Sequence, residues 1–220
     1  MRAAVCPAYG PPEVIRIREL PEPVVEAGQA LVRVHAAAVN FPDVLFVADD
    51  YQFSVPPPFV PGSEFAGTVL AVGDAVDDLQ PGDRVSGSTL VGAFAEQVAI
   101  AAGSLQPVPE GVDLRDAAAF GVAHSTAHHV LRSVARVEEA EDLIVLGAGG
   151  GVGLATVQLG ALLGATVTAV ASTDEKLRVA ASHGARHLIR HHDVDLRAAL
   201  REVLPDGADV VVDPVGGALA

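Results

Sequence analysis

The chain has 220 residues, half of them hydrophobic, with 28 acidic side chains against 14 basic ones and a formal net charge of −14. A surface this acidic repels nucleic acid and anionic membrane, which argues against both as partners. A single cysteine, Cys6, rules out an internal disulfide and suits a reducing cytoplasm; no apolar run is long enough for a transmembrane helix, and the N-terminus lacks a signal-peptide core.

Residues 1–121 carry short Val-rich runs: "AAVCPAY", "VIRIREL", "QALVRVHAAAV", "FAGTVLAVG", "DRVSGST" and "FAEQVAI". Turn signals such as "GPP", "PGS" and "PGD" separate them, which predicts an all-β, barrel-like domain. Cys6 is expected to be a small, buried apolar residue in a strand. "FPDVLFVADD" suits a short helix. From residue 122 the texture changes. "STAHHVLRSVARV" has helical spacing, with Ser125 as its expected N-cap. Strands "DLIVLG", "TVTAVA", "HLI" and "DVVVDPV" then alternate with helices over about 151–163, "DEKLRVAASHG" and "VDLRAALREVL". That alternation predicts a parallel, doubly wound sheet over residues 122–220.

The run "GAGGGVG" (147–153) lies between a buried strand and a helix. Glycine there permits a tight turn and close ligand approach, and the helix start offers unpaired N–H groups to a pyrophosphate. Gly150 and Gly153 fit the G-x-G-x-x-G spacing, whereas Ala148 replaces its first glycine. Gly150, Gly151, Val152 and Gly153 are the expected dinucleotide contacts; a tight turn without a ligand is the plain alternative. Strand two ends "AVASTDEK", with Ala171 and Ser172 where an NAD site would carry an acid for the ribose 2′-OH. Thirteen of the basic residues are Arg, and the one Lys, Lys176, falls here. Ser172, Thr173 and Lys176 suit a 2′-phosphate, so NADPH is favoured over NADH. The alternative for Lys176 is a solvated helix residue.

With these stretches in hand, the sequence resembles the zinc-independent quinone oxidoreductase branch of the medium-chain dehydrogenase/reductase superfamily. The resemblance rests on "VNFPDVL" (39–45), "PFVPGSEFAGTVLAVG" (58–73), "PGDRV" (81–85), "GAGGGVGLATVQLG" (147–160), "DEKLRVAASHGA" (174–185) and "DVVVDPVGG" (209–217). It implies a GroES-like β-barrel over 1–121, then an incomplete Rossmann NADPH-binding domain over 122–220, with the active site in the cleft between them. It implies hydride transfer from NADPH to a quinone, enone or enoyl thioester, and admits a homodimer. Zinc-dependent relatives have Cys where this chain has Asn40 and His where it has Ser63, so no metal is expected. His124 and His128 stand at i, i+4 without an evident third ligand.

Asn40 and Tyr51 match family positions facing the cleft and are the candidates for polarising the acceptor oxygen. Each has a structural alternative, as a loop residue and a half-buried aromatic respectively. Thr126 matches a family threonine near the nicotinamide half of the cofactor. His191 stands where Tyr is common beside the adenosine; it could stack on adenine or donate to phosphate. "DPVGG" is expected to shape the backbone on the nicotinamide side. Family chains run longer, so the last two Rossmann strands and a returning C-terminal helix are expected to be missing, and full activity of this chain alone is not expected. The second class left open is a non-catalytic NADPH-binding module acting as a sensor or interaction protein.

Overall fold

The computed structural model describes residues 1–192 and 194–217. It separates into two units, Met1–Val122 and Ala123–Ala220.

The N-terminal unit begins with an antiparallel pair, β1 (Arg2–Val5) and β2 (Arg16–Glu19). Its main sheet starts with β3 (Gln29–Ala38). The helix α1 (Phe41–Ala48) follows, where "FPDVLFVADD" predicts one. Strands β4 (Glu64–Val72), β5 (Arg84–Ser88), β6 (Gln97–Ala101) and the short β7 (Leu105–Pro107) complete a five-stranded sheet ordered β6-β3-β4-β5-β7. Alternation puts Ala30 and Val32 of β3 inward, against Phe65 and Val69 of β4 and Val85 of β5. Burying each large side chain contributes about 1.5–3 kcal/mol, so a core poor in aromatics still holds the sheet. Cys6, just past β1, is fully buried and bridges to Phe59. Helix α2 (Leu114–Ala118) starts at Asp113, whose carboxylate accepts from Arg115 N.

Helix α3 (Gly121–His128) begins four residues before Ser125. Ser125 is therefore inside the helix and is not its N-cap. The helix continues as a wider π turn over His129–Val134. The C-terminal unit then alternates strand and helix: β8 (Asp142–Leu146), α4 (Gly151–Leu162), β9 (Thr166–Ala171), α5 (Asp174–Ser182), β10 (His187–Arg190), α6 (Leu196–Val203) and β11 (Val210–Val212). All pairings are parallel, in the order β10-β9-β8-β11. Both faces of this sheet are covered. Leu143 and Val145 of β8 pack with Val157 of α4 and Leu177 of α5. Ile144 and Leu146 point the other way, to Leu204 and the apolar side of α6. A strand buried on two faces reads as an unbroken apolar run, which is how "LIVL" reads. Among the described residues no helix is long and apolar enough to cross a membrane.

Candidate functional site

In the C-terminal unit the chain leaves β8 through Gly147, whose φ is +64. That left-handed conformation favours glycine. The tight-turn glycine is thus Gly147, one residue before the motif position that Ala148 occupies. Ala148 is fully buried and donates its N–H to the Val170 carbonyl. Gly150 is the N-cap of α4 and no side chain caps that helix. The N–H groups of Gly151, Val152 and Gly153 are those a first turn leaves without an intrahelical acceptor.

The fit of a pyrophosphate can be tested by asking what a Cβ would meet along this turn. At Gly150 it meets only the Gly147 carbonyl oxygen, at an ordinary 3.5 Å. At Gly151 it meets only Ala123 Cβ, at 3.8 Å. Among the described residues nothing else lies within 4 Å of either position, so the space over the helix start is open and fits an anion. Gly153 differs: its Cβ would land on the Gly147 carbonyl. Gly153→Ala should therefore destabilise the fold by about 1–3 kcal/mol through overpacking, seen as a lowered Tm; an unchanged Tm would contradict this packing role.

Beside the turn is a pocket of about 270 Å³. Gly147, Gly149 and Gly150 form one wall, and Ala171 and Ser172 at the end of β9 form another. Lys176 from α5, His191 and His192 after β10, and Val215 close it. Lys176 Nζ donates to Ser172 Oγ at 3.2 Å, which places the ammonium at the pocket. The Lys176 stem runs so close over Gly149 that a Cβ there would lie 2.6 Å from its Cβ and Cγ. Thr173 is placed differently from its sequence reading. Its hydroxyl caps α5 by accepting from Lys176 N, and it does not line the pocket. Asp174, on the first turn, pairs with Arg190 at 3.2 Å. The His191 and His192 rings lie 4.2 Å apart. Burial, then His192 and Lys176, push the His191 imidazole below its ordinary value. "DPVGG" closes on itself: Asp213 Oδ1 accepts from Val215 N and Gly216 N, and Val215 reaches the pocket.

Gly150, Ser172, Lys176 and His191 are thus brought to one pocket, and Gly151, Val152 and Gly153 form the adjoining helix turn. Thr126 lies on α3, outside that lining. Sequence reasoning missed His192 and Gly147. The signal for His192 was the doublet "HHD" after strand three, and that for Gly147 was the first glycine of the run.

In the N-terminal unit, Asn40 N-caps α1 and Asp43 Oδ2 accepts from Asn40 N at 2.7 Å. Asn40 Nδ2 donates to Glu64 Oε2 at 3.1 Å, and the same oxygen accepts from Val122 N at 3.1 Å. Tyr51 is half-buried against Phe46, with centroids at 4.4 Å, and Phe53 at 5.2 Å. Two acids sequence reading did not single out, Asp43 and Glu64, are buried here. Burial pushes both carboxyls up, opposed by their hydrogen bonds. A raised folded-state pKa means the folded chain holds a proton the unfolded chain has lost. That stability is fully present below the ordinary glutamate value of 4.5 and is lost as pH rises through the folded value. Glu64→Gln, which cannot ionise, should therefore show a shallower fall in urea-unfolding stability above pH 4.5; a slope equal to that of the unsubstituted chain would contradict it.

His124 Nε2 lies 3.2 Å from Gln158 Oε1 of α4, and His128 lines a separate apolar pocket with Leu131 and Leu159. Among the described residues no group of three or more His, Cys, Asp or Glu is placed to hold a metal ion.

A GroES-like sheet unit followed by a parallel sheet with a glycine turn is the architecture of a medium-chain dehydrogenase/reductase. Residues 26–110 match the family described as Alcohol dehydrogenase GroES-like domain, and residues 151–220 match Zinc-binding dehydrogenase. Human quinone oxidoreductase is 32% identical over 216 residues, covering 97% of this chain and 66% of that protein. A solved quinone oxidoreductase from Thermus thermophilus, also studied in its complex with NADPH, is 34% identical with a TM-score of 0.86, covering 100% of this chain and 68% of that one. The Escherichia coli quinone oxidoreductase complexed with NADPH superposes with a TM-score of 0.93 at 28% identity, covering 99% of this chain and 67% of that one. The chain belongs to the quinone oxidoreductase branch of the medium-chain dehydrogenase/reductase superfamily. It spans about two thirds of the length of each of these relatives.

Proposed function

We propose that the chain belongs to an NADPH-dependent oxidoreductase that reduces a quinone or another conjugated carbonyl compound without zinc. One observation carries this reading. An uncapped helix start adjoins a pocket that contains the chain's one lysine, held by Ser172. Gly150, Gly151, Val152 and Gly153 hold the pyrophosphate, and Ser172 and Lys176 hold the 2′-phosphate. Thr126 serves the nicotinamide half. When bound, NADPH supplies the reducing equivalents.

On the acceptor side Asn40 and Tyr51 are the contacts. Glu64 accepts from one N–H of the Asn40 amide, and the second N–H of that amide is the donor that polarises an acceptor oxygen. Asn40 and Ser63 at the zinc-ligand positions favour hydrogen-bond polarisation over a Lewis acid. Relatives described as quinone oxidoreductases, two of them solved with NADPH, support the choice of cofactor and acceptor.

The test is NADPH oxidation with a small quinone, an enone and a crotonyl thioester, beside NADPH binding followed by fluorescence. Oxidation by the quinone or enone is expected. Preference for the thioester would make the protein an enoyl-thioester reductase. Binding without oxidation would favour a non-catalytic module, and folded protein that does neither would refute the proposal.

A further inference from the structure

Every residue of α1 except Asp43 is apolar, and Asp43 is buried. One side of the helix, with Phe46 and Val47, packs into the cluster around Cys6 and Phe59. Phe41, Val44, Leu45 and Ala48 stand at i, i+3, i+4 and i+7 and therefore share the opposite side. Phe41 is 74% exposed and Val44 38%. A helix that is apolar all round is ordinarily buried, so an exposed apolar stripe is a surface on which something else packs. The stripe runs between the two residues assigned to the acceptor. Asn40 caps the start of α1, and Tyr51 follows its end, where the chain turns back at Asp49 with φ +62. Its eight residues, at 1.5 Å each, make it about 12 Å long. Phe53, 48% exposed, stands edge-on to Tyr51 at that end, with ring centroids 5.2 Å apart. Asp49 and Asp50 are exposed there too, and among the described residues no cation pairs with either. The occupant that matches this surface is apolar along its length and carries no negative charge at its far end.

We infer that the exposed side of α1 is the subsite for an uncharged alkyl chain on the acceptor, so that the preferred substrate is a neutral quinone carrying such a chain and not a small quinone or an anionic thioester. This rests on the acceptor reading above. The quinone oxygen meets the Asn40 amide, and the chain lies along Phe41 and Val44 toward Tyr51 and Phe53. These contacts are the same before and during hydride transfer. They therefore lower KM and leave kcat unchanged. The two carboxylates at the end of α1 act against a chain that ends in an anion, and salt screens that repulsion.

The probes are benzoquinones carrying a methyl, propyl or pentyl group, and one carrying a carboxybutyl group. KM and kcat are read from NADPH oxidation, and Kd for each quinone from calorimetry without NADPH, so the comparison does not depend on turnover. KM and Kd should fall about two-fold per added methylene, with kcat nearly constant. Phe41→Gln/Val44→Gln, and Val44→Gln alone, should handle the methyl quinone as the unsubstituted chain does and lose the gain with chain length, with folding checked by thermal melts. The carboxybutyl quinone should bind more weakly than the pentyl one, and Asp49→Asn/Asp50→Asn should improve the carboxybutyl quinone alone, most at low salt. KM and Kd that stay flat along the alkyl series, or a gain undiminished in both glutamine variants, would overturn the chain subsite while leaving the acceptor reading in place. A carboxybutyl quinone that binds as tightly as the pentyl one would overturn the requirement for an uncharged chain. Folded protein that neither binds nor reduces any of the quinones would overturn the acceptor reading as well.

Discussion

Gly150→Val is expected to remove affinity for NADPH and NADH together while leaving the chain folded. The backbone at Gly150 has φ −88 and ψ 170, an extended conformation that a β-branched residue adopts readily. Among the described residues a Cβ there meets only one protein oxygen within 4 Å, at an ordinary 3.5 Å, so the turn itself leaves room for the branch point of a side chain. What it fills is the approach to the first-turn N–H groups of α4. A pyrophosphate denied two such charge-assisted bonds loses about 3 kcal/mol, or roughly a hundred-fold in Kd. Isothermal titration beside a thermal melt checks both halves. Retained affinity in a folded variant would place the nucleotide elsewhere. The contrast with Gly153→Ala makes the test sharp, because the same motif contains one glycine needed by the fold and one left open toward a ligand.

Lys176→Met is expected to weaken NADPH by about ten-fold and to change NADH by less than about two-fold. One charge-assisted bond to a phosphate is worth about 1.5–3 kcal/mol. The ammonium is exposed, so solvent and salt screening reduce this toward the lower figure. Met is preferred to Ala because the lysine stem packs over Gly149, and truncation would open that contact as well as remove the charge. Equal weakening of both nucleotides would refute the 2′-phosphate assignment. The NADPH effect should shrink as salt is raised.

Much of this was legible in the sequence because it is written in periodicity and in residues with one strong physical role. The two-faced burial of β8 shows as "LIVL", and the glycine turn shows as five glycines in seven residues. Helix α3 was misread at its start. Gly121 gives no hydroxyl or carboxylate signal, while Ser125 does, and a cap is recognised by its side chain. Thr173 suits a phosphate by its hydroxyl in sequence; the fold adds that this oxygen also caps α5, which residue type alone does not show. Gly147 escaped because a positive φ is a property of the turn and not of the motif spacing. Asp43 and Glu64 look like ordinary surface acids in sequence. Only the fold shows that Asp43 holds the backbone N–H of Asn40 and Glu64 its side-chain amide.

The central claim is that the start of α4 and the Lys176 pocket together receive a phosphorylated nicotinamide nucleotide. Direct titration of the folded chain with NADPH and NADH, followed by nucleotide fluorescence, tests it most simply. Saturable binding with NADPH tighter than NADH is predicted; no saturable binding, or a preference for NADH, would contradict it.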